Sequence, residues 1–186
     1  PSEHSKMSLV GTIYNEANQQ GQVIAQHKIT KPVEILFEGF DETVFGTDEV
    51  ANISELNEIK EDFVFLFVGH WLQGDMGQDR KDVGMLIKTF LETFKNKKQR
   101  PGLILKTQFA TPSVMDREEV LDKIRKIEEA VGGDIPSIYL VHGEFSDEEM
   151  NELYNHPKVK AFVSFTKGEG YGRPLLEATI AQKPVI

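Results

Sequence analysis

Cysteine is absent from the 186 residues, and tryptophan occurs once. Without thiols the chain can build no disulfide framework, no thiolate zinc site and no cysteine nucleophile, and the absence suits a reducing compartment. No apolar run approaches the roughly 20 residues that span a bilayer, and the first residues lack the apolar core of a signal peptide. Positive charge is scarce: 21 Lys and Arg face 30 Asp and Glu, for a formal net charge of −9. A surface of that sign does not track a phosphate backbone, which argues against non-specific nucleic-acid binding. No Asp-x-Asp, Gly-x-Ser-x-Gly or phosphate-binding P-loop pattern is present. His4, His27, His70, His142 and His156 are scattered without metal-ligand spacing.

What is present describes an ordinary soluble chain, 39% hydrophobic and 27% charged, long enough for one domain or one domain with a piece of another. Lys60 is the only base between Glu34 and Asp62, so that acidic stretch reads as a solvated surface or, alternatively, a docking face. The one basic run, Lys95 to Arg100, follows an apolar periodic stretch, where cations complement a helix C-terminus; the alternative is a membrane-surface contact. The first residues carry no initiator Met and Pro184-Val185-Ile186 opens a strand, so both ends are expected to be internal to a longer chain.

Ser2 can cap a helix running to about Asn18, with Met7, Val10, Ile13 and Tyr14 on one face. Val33–Phe37 reads as a strand. From Phe63 the pattern becomes regular. The run Phe63–Val68 is apolar throughout, as in a strand buried on both faces. Helical spacing follows over Val83–Phe94, then a strand at Leu103–Leu105, and a helix opening at Asp116 and ending at Gly132-Gly133. Ser137–Val141 is a further strand. Ser146 and Glu149 form a capping box, Val159–Phe165 is another strand, and a helix spans Pro174 to about Ala181. Strands alternating with helices predict an α/β fold: an open, mostly parallel Rossmann-like sheet with helices on both faces. Ligands of such sheets bind beyond the carboxyl ends of the strands, which directs attention to loops 69–82, 106–115, 142–146 and 165–174.

The last of these loops carries Gly168, Gly170 and Gly172 in alternation, so its backbone amides can approach a ligand closely. Pro174 suits the first turn of a helix, whose free N–H groups could meet a diphosphate. Glu169 and Glu177 disfavour a phosphate beside them; they suit sugar hydroxyls, one a ribose and the other a hexose. The plainer reading is a glycine turn with a helix-start glutamate.

The wider string resembles one family. Phe162-Val163-Ser164, then Glu169-Gly170-Tyr171-Gly172-Arg173-Pro174-Leu175-Leu176-Glu177-Ala178, then Pro184-Val185-Ile186, is similar to the signature of retaining glycosyltransferases of family 4, group 1. Four further segments resemble that family's landmarks: Phe37–Asp41, Phe67-Val68-Gly69, Arg80–Ile87 and Val141–Ser146. Residues 1–6 resemble the end of its N-terminal domain.

The resemblance implies residues 1–32 as the end of an N-terminal domain with a linker helix, and residues 33–186 as an incomplete donor-binding domain, the C-terminal half of a GT-B fold. It implies transfer of a hexose from a nucleoside diphosphate sugar to an acceptor hydroxyl with retention, no metal and no other cofactor. Glu169 would contact the sugar and assist transfer, Lys81 would neutralise the leaving diphosphate, and Glu177 would hold the ribose. Gly170, Tyr171 and Gly172 would cradle sugar and diphosphate, while Gly143, Glu144 and Phe145 would lie against the base. One departure stands out: His70 occupies the place of an Arg, and Arg80 is the candidate to supply the charge. Trp71 reads as a packing residue, and Lys106 as a possible second phosphate contact. The acceptor, a glycan, lipid or small molecule, would belong to a missing N-terminal domain, so this chain alone is expected to be inactive or weakly active. A cytoplasmic location, with peripheral membrane contact in the full-length protein, is the expected setting. Two rival readings are a non-catalytic nucleotide-sugar-binding scaffold and a phosphorylase on the same fold.

Overall fold

A computed structural model describes residues 2–47, 53–71, 74 and 76–186. Pro1, residues 48–52 of the acidic stretch, and Leu72, Gln73 and Asp75 of the 69–82 loop lie outside the described residues. The chain forms two compact units, Pro1–Phe40 and Asp41–Ile186.

In the first unit, helix α1 spans Glu3–Gly11, with the Ser2 hydroxyl accepting from Ser5 N at 3.2 Å. The helix expected to reach Asn18 ends at Gly11 instead. Gly11 weakens helix propagation, and the next residues pair better than they coil. Strands β1 (Tyr14–Ala17) and β2 (Val23–His27) form an antiparallel hairpin. Its turn is closed by Asn18, whose side chain accepts from Gln20 N and Gln22 N, and by Gly21 at φ 79°. Residues 33–37, expected as a strand, are unpaired coil, with Leu36 and Phe37 exposed. Strand propensity reflects packing on a pleated neighbour, and no neighbouring strand pairs with them.

The second unit carries a 3-10 helix at Ser54–Glu58 and is built on four parallel strands: β3 (Val64–Val68), β4 (Gly102–Lys106), β5 (Ile138–Val141) and β6 (Val159–Phe162). Helices α2 (Val83–Phe94), α3 (Val114–Val131), α4 (Asp147–Asn155) and α5 (Arg173–Ile180) connect or follow them. The strand order is β5-β4-β3-β6. Pro184–Ile186 adds to the outer edge of β6 through a parallel bridge between Phe162 and Val185.

Side chains of a strand alternate between faces, so the apolar run of β3 feeds two cores. Phe67, Leu103 and Leu105 join Leu86, Ile87, Leu91, Val120 and Ile124 of α2 and α3. Val64, Leu66 and Ile104 join Leu153, Tyr154, Phe162 and Ala178 on the α4 and α5 side. Local signals agree with this arrangement. Ser113 caps α3, Gly132 ends it at φ 58°, and Ser146 with Glu149 forms a complete capping box on α4. The predicted α/β class and parallel sheet are therefore observed.

Ile104, fully buried between Leu66 and Tyr139 of the neighbouring strands, tests this core. Ile104→Ala should lower the unfolding free energy by about 2–5 kcal/mol. Leu36→Ala, at a position 80% exposed, should change it by less than about 0.5 kcal/mol. Urea denaturation reads both, and comparable losses would put Leu36 in a core of its own.

Candidate functional site at the carboxyl end of the sheet

From β3 the connections run through α2 to β4 and through α3 to β5, in one direction across the sheet. The chain then returns through α4 to β6 on the other side of β3. Loops leaving β3 and β6 therefore diverge around a crevice, the place where open α/β sheets receive ligands.

The segment before α2 is held by Asp79, which is 3% exposed. Its carboxylate accepts from Lys81 N at 2.9 Å and Val83 N at 3.4 Å, taking over the capping that Asp82, in a left-handed conformation, does not perform. Lys81 is thereby turned inward, its side chain 10% exposed, and its ammonium bonds Glu169 Oε1 from the loop after β6. Arg80 reaches the other oxygen of the same carboxylate at 3.1 Å and also donates to the Gly168 carbonyl. The two loops are sewn together again by Lys167, whose N–H donates to Arg80 O at 2.9 Å and whose ammonium lies 3.3 Å from Asp82. Burial would raise the Glu169 pKa, but hydrogen bonds from Lys81, Arg80 and Thr166 outweigh it and hold the carboxyl below its usual range.

Helix α5 begins at this loop. Gly172 is its N-cap at φ 85°, and a Cβ there would also meet Leu175 Cδ1 at 3.1 Å, so glycine is required. Glu177, 6% exposed, accepts from Arg173 Nε at 2.6 Å, and Arg173 extends to Asp147 at 3.3 Å. Burial, and then the Glu177 carboxylate, push the neighbouring Tyr154 hydroxyl to a higher pKa.

On the other side of Gly69 a cleft of about 420 Å³ opens among the ends of β3, β4 and β5, lined by His70, Lys106, Thr107, Gln108, Gly143, Glu144, Phe145 and Pro174 among others. Gly69 joins the two parts. It lines this cleft, and a Cβ on it would lie 3.5 Å from Lys81 Cε. Lys106 donates to the Gly143 carbonyl and lies 4.5 Å from the Phe145 ring centre, and burial lowers its pKa. Beneath, Asp116 accepts from the backbone N–H of Phe109, Ala110 and Thr111 and faces His142 Nε2 at 2.9 Å. Burial opposes its charge, yet these four bonds set its pKa well below the ordinary carboxylate value. Asp116 and His142 thus brace two loops of the cleft against each other.

Of the residues singled out in the sequence, Glu169, Lys81 and Arg80 meet directly, while His70, Gly143, Glu144 and Phe145 share the cleft. Glu177 is turned to Arg173. Gly170 and Tyr171 are exposed in the loop and do not line the cleft. Trp71 is 5% exposed and packs on Phe109, as a packing residue should. Asp79, Lys167, Asp116, His142 and Arg173 were missed. Two left a local signal: Asp116 stands three residues after the Ser113 cap, and Arg173 precedes Glu177 by four on one helix. A larger cleft, about 620 Å³, lies at the amino end of the sheet beside Phe63, Phe65 and Phe94. Its Glu61 and Arg100 are already bonded to Ser137, Tyr139 and Asp134, and it holds none of the candidate residues. Among the described residues no group of His, Asp and Glu could hold a metal ion, and no helix is long and apolar enough to cross a membrane.

Fold and site together define a Rossmann-like α/β domain, with its polar groups gathered at the strand-order reversal. The chain matches no protein-family profile and no curated protein. Among solved structures, it is similar to the C-terminal domain of a glycosyl transferase group 1 family protein, LpcC, from Francisella tularensis. The TM-score is 0.53 at 17% identity, over 79% of this chain and 69% of that one. The fold is therefore that of a group 1 glycosyltransferase C-terminal domain.

A carboxylate titrating below its usual range in the folded state stabilises above the unfolded pKa, about 4, and loses that contribution as pH falls through the folded value. Asp116→Asn should accordingly lower the urea midpoint at pH 7, with the gap from the parent unchanged down to about pH 4 and narrowing as pH falls below it. A gap that stays constant below about pH 4 would show that the charge of Asp116 is not what its partners stabilise.

Proposed function

We propose that this chain is most of the donor-binding domain of a retaining group 1 glycosyltransferase of family 4, moving a hexose from a nucleoside diphosphate sugar to an acceptor hydroxyl. The observation that carries the reading is the meeting of Lys81, Arg80 and Glu169 at the crevice between β3 and β6, beside a cleft of nucleotide size. The likeness to the LpcC domain supports the fold on which it rests.

In this reading the diphosphate lies against Lys81, Arg80 and the start of α5, where two cations and the positive end of the helix dipole offset its charge. The bond between the anomeric carbon and the diphosphate oxygen breaks, and its electron pair leaves on the phosphate. The acceptor oxygen bonds the same carbon on the same face, and its proton passes to the departing phosphate. Glu169, held ionised by its two cations, lies against the sugar and supports positive charge developing at the ring. Glu177 takes the ribose hydroxyls, exchanging part of its contact with Arg173. The loop Gly170-Tyr171-Gly172 cradles the sugar and diphosphate, and Gly143, Glu144 and Phe145 face the base. No metal is needed, because Lys81 and Arg80 supply the cationic charge; Arg80 does so where His70 replaces the family's arginine. The acceptor, a glycan, lipid or small molecule, and a cytoplasmic setting complete the proposal.

Calorimetry with UDP-, GDP- and ADP-sugars tests it. The chain should bind one of them weakly and transfer poorly, and Glu169→Ala or Glu177→Ala should each weaken binding at least about ten-fold, roughly 1.4 kcal/mol. Binding indifferent to both substitutions, or none at all by the chain within its full-length protein, would exclude the transferase site. Phosphate-dependent release of a sugar phosphate would make it a phosphorylase.

A further inference from the structure

Arg173 carries a charge from which helix α5 itself gains little. It is the first residue of that helix, at the positive end of the dipole, and its partner Glu177 follows four residues later. Cation before carboxylate is the less favourable order on one helix. Yet the guanidinium is anchored by three partners. Nε donates to Glu177 Oε1 at 2.6 Å, and Nη2 reaches Asp147 Oδ1 and Oδ2 at 3.3 and 3.4 Å. The guanidinium carbon stands 5.7 Å from the ring centre of buried Phe45. Asp147 is in turn the first residue of α4, directly after the Ser146 cap, where a carboxylate suits the dipole.

These contacts join two parts of the site. The cleft wall at 143–145 runs straight into Ser146 and Asp147, while Pro174, which also lines the cleft, stands in the turn of α5 that leads to Glu177. Arg173 therefore ties the Glu177 carboxylate to that wall at a set separation. Glu177 is buried, and among the described residues Arg173 is the cation bonded to it. Its other titratable neighbour is the Tyr154 hydroxyl, whose ionisation it opposes. A carboxylate accepts several hydrogen bonds at once, so one from Nε leaves room for hydroxyl donors.

We propose that Arg173 positions Glu177 for the ribose of the donor, an inference that rests on the nucleotide-sugar reading above. Arg173 acts through Glu177 and need not touch the ligand. Its planar fork spans two carboxylates, which the point charge of a lysine does not. Asp147 and Phe45 keep the guanidinium in place while a ribose hydroxyl takes over part of its contact with Glu177. The carboxylate is thus oriented before the ligand arrives, which lowers the ordering cost of binding.

The test is titration of the parent, Arg173→Met and Asp147→Asn with UDP, CDP, GDP and ADP, each beside its 2′,3′-dideoxy counterpart, which lacks both ribose hydroxyls. For the base it binds best, the parent should favour the ribose form by about ten-fold or more. Arg173→Met should compress that preference to within roughly three-fold, with affinity for the dideoxy form changed by less than about two-fold. Asp147→Asn, which removes the far anchor without touching α5, should compress it part of the way and keeps the question answerable if Arg173→Met fails to fold. An equal loss for both forms (as a scaffolding role produces), an unchanged preference, or a larger one (as a cation masking Glu177 produces) overturns the assignment while leaving nucleotide binding intact. A parent that binds a diphosphate without preferring ribose overturns it as well. A parent that binds none of them overturns the nucleotide reading and this assignment together.

Discussion

Residues 64–68 are apolar at every position, and a strand with no polar face is stable only where both faces are covered and both edges are paired. That constraint puts β3 inside the sheet, with β4 on one side and β6 on the other. It also demands helices above and below, which α2 and α3 supply on one face and α4 and α5 on the other. Once β3 is interior, the strand order must reverse beside it, and the reversal opens a crevice at the carboxyl ends. The position of the site follows from burying five apolar residues.

The crevice gathers charge from distant parts of the chain. Lys81 and Glu169 are 88 residues apart and neither is in a regular element, yet both are nearly buried and bonded. Breaking one partner of such a pair leaves an uncompensated charge in a poorly solvated place, so the geometry is held on both sides. Asp79 orients the lysine, and Lys167 ties the glutamate's loop back to Arg80. The cleft beyond Gly69 is organised differently, by one buried carboxylate that collects three backbone amides and an imidazole. Thr107 Oγ1 and Gln108 Oε1, on residues of the same cleft, are buried without a hydrogen bond.

Most elements of the second unit were legible because their signals are local: the apolar run of β3, the 3.6-residue spacing of α2, the Ser146 capping box, and the glycines after α3. The first unit was less legible. A helix to Asn18 and a strand at 33–37 both follow from propensity, but the hairpin β1–β2 depends on partners across a turn, and a strand without a partner is coil. Glu169, Glu177, the cation pair before α2 and the 142–145 loop could be picked out through the resemblance to a family signature. Which of them touch could not.

By itself, then, the sequence determined the alternation of strands and helices, the parallel sheet and the loops that carry the polar residues, because periodicity, caps and glycines act within a few residues. Only the tertiary structure decided that Glu169 is shared by Lys81 and Arg80, that Glu177 is held by Arg173, that Asp116 braces His142, and that Thr107 Oγ1 and Gln108 Oε1 are buried without a hydrogen bond. Each of these is a pairing or a vacancy in space. Burial makes each one consequential, and burial is a property of the packed whole rather than of any segment of it.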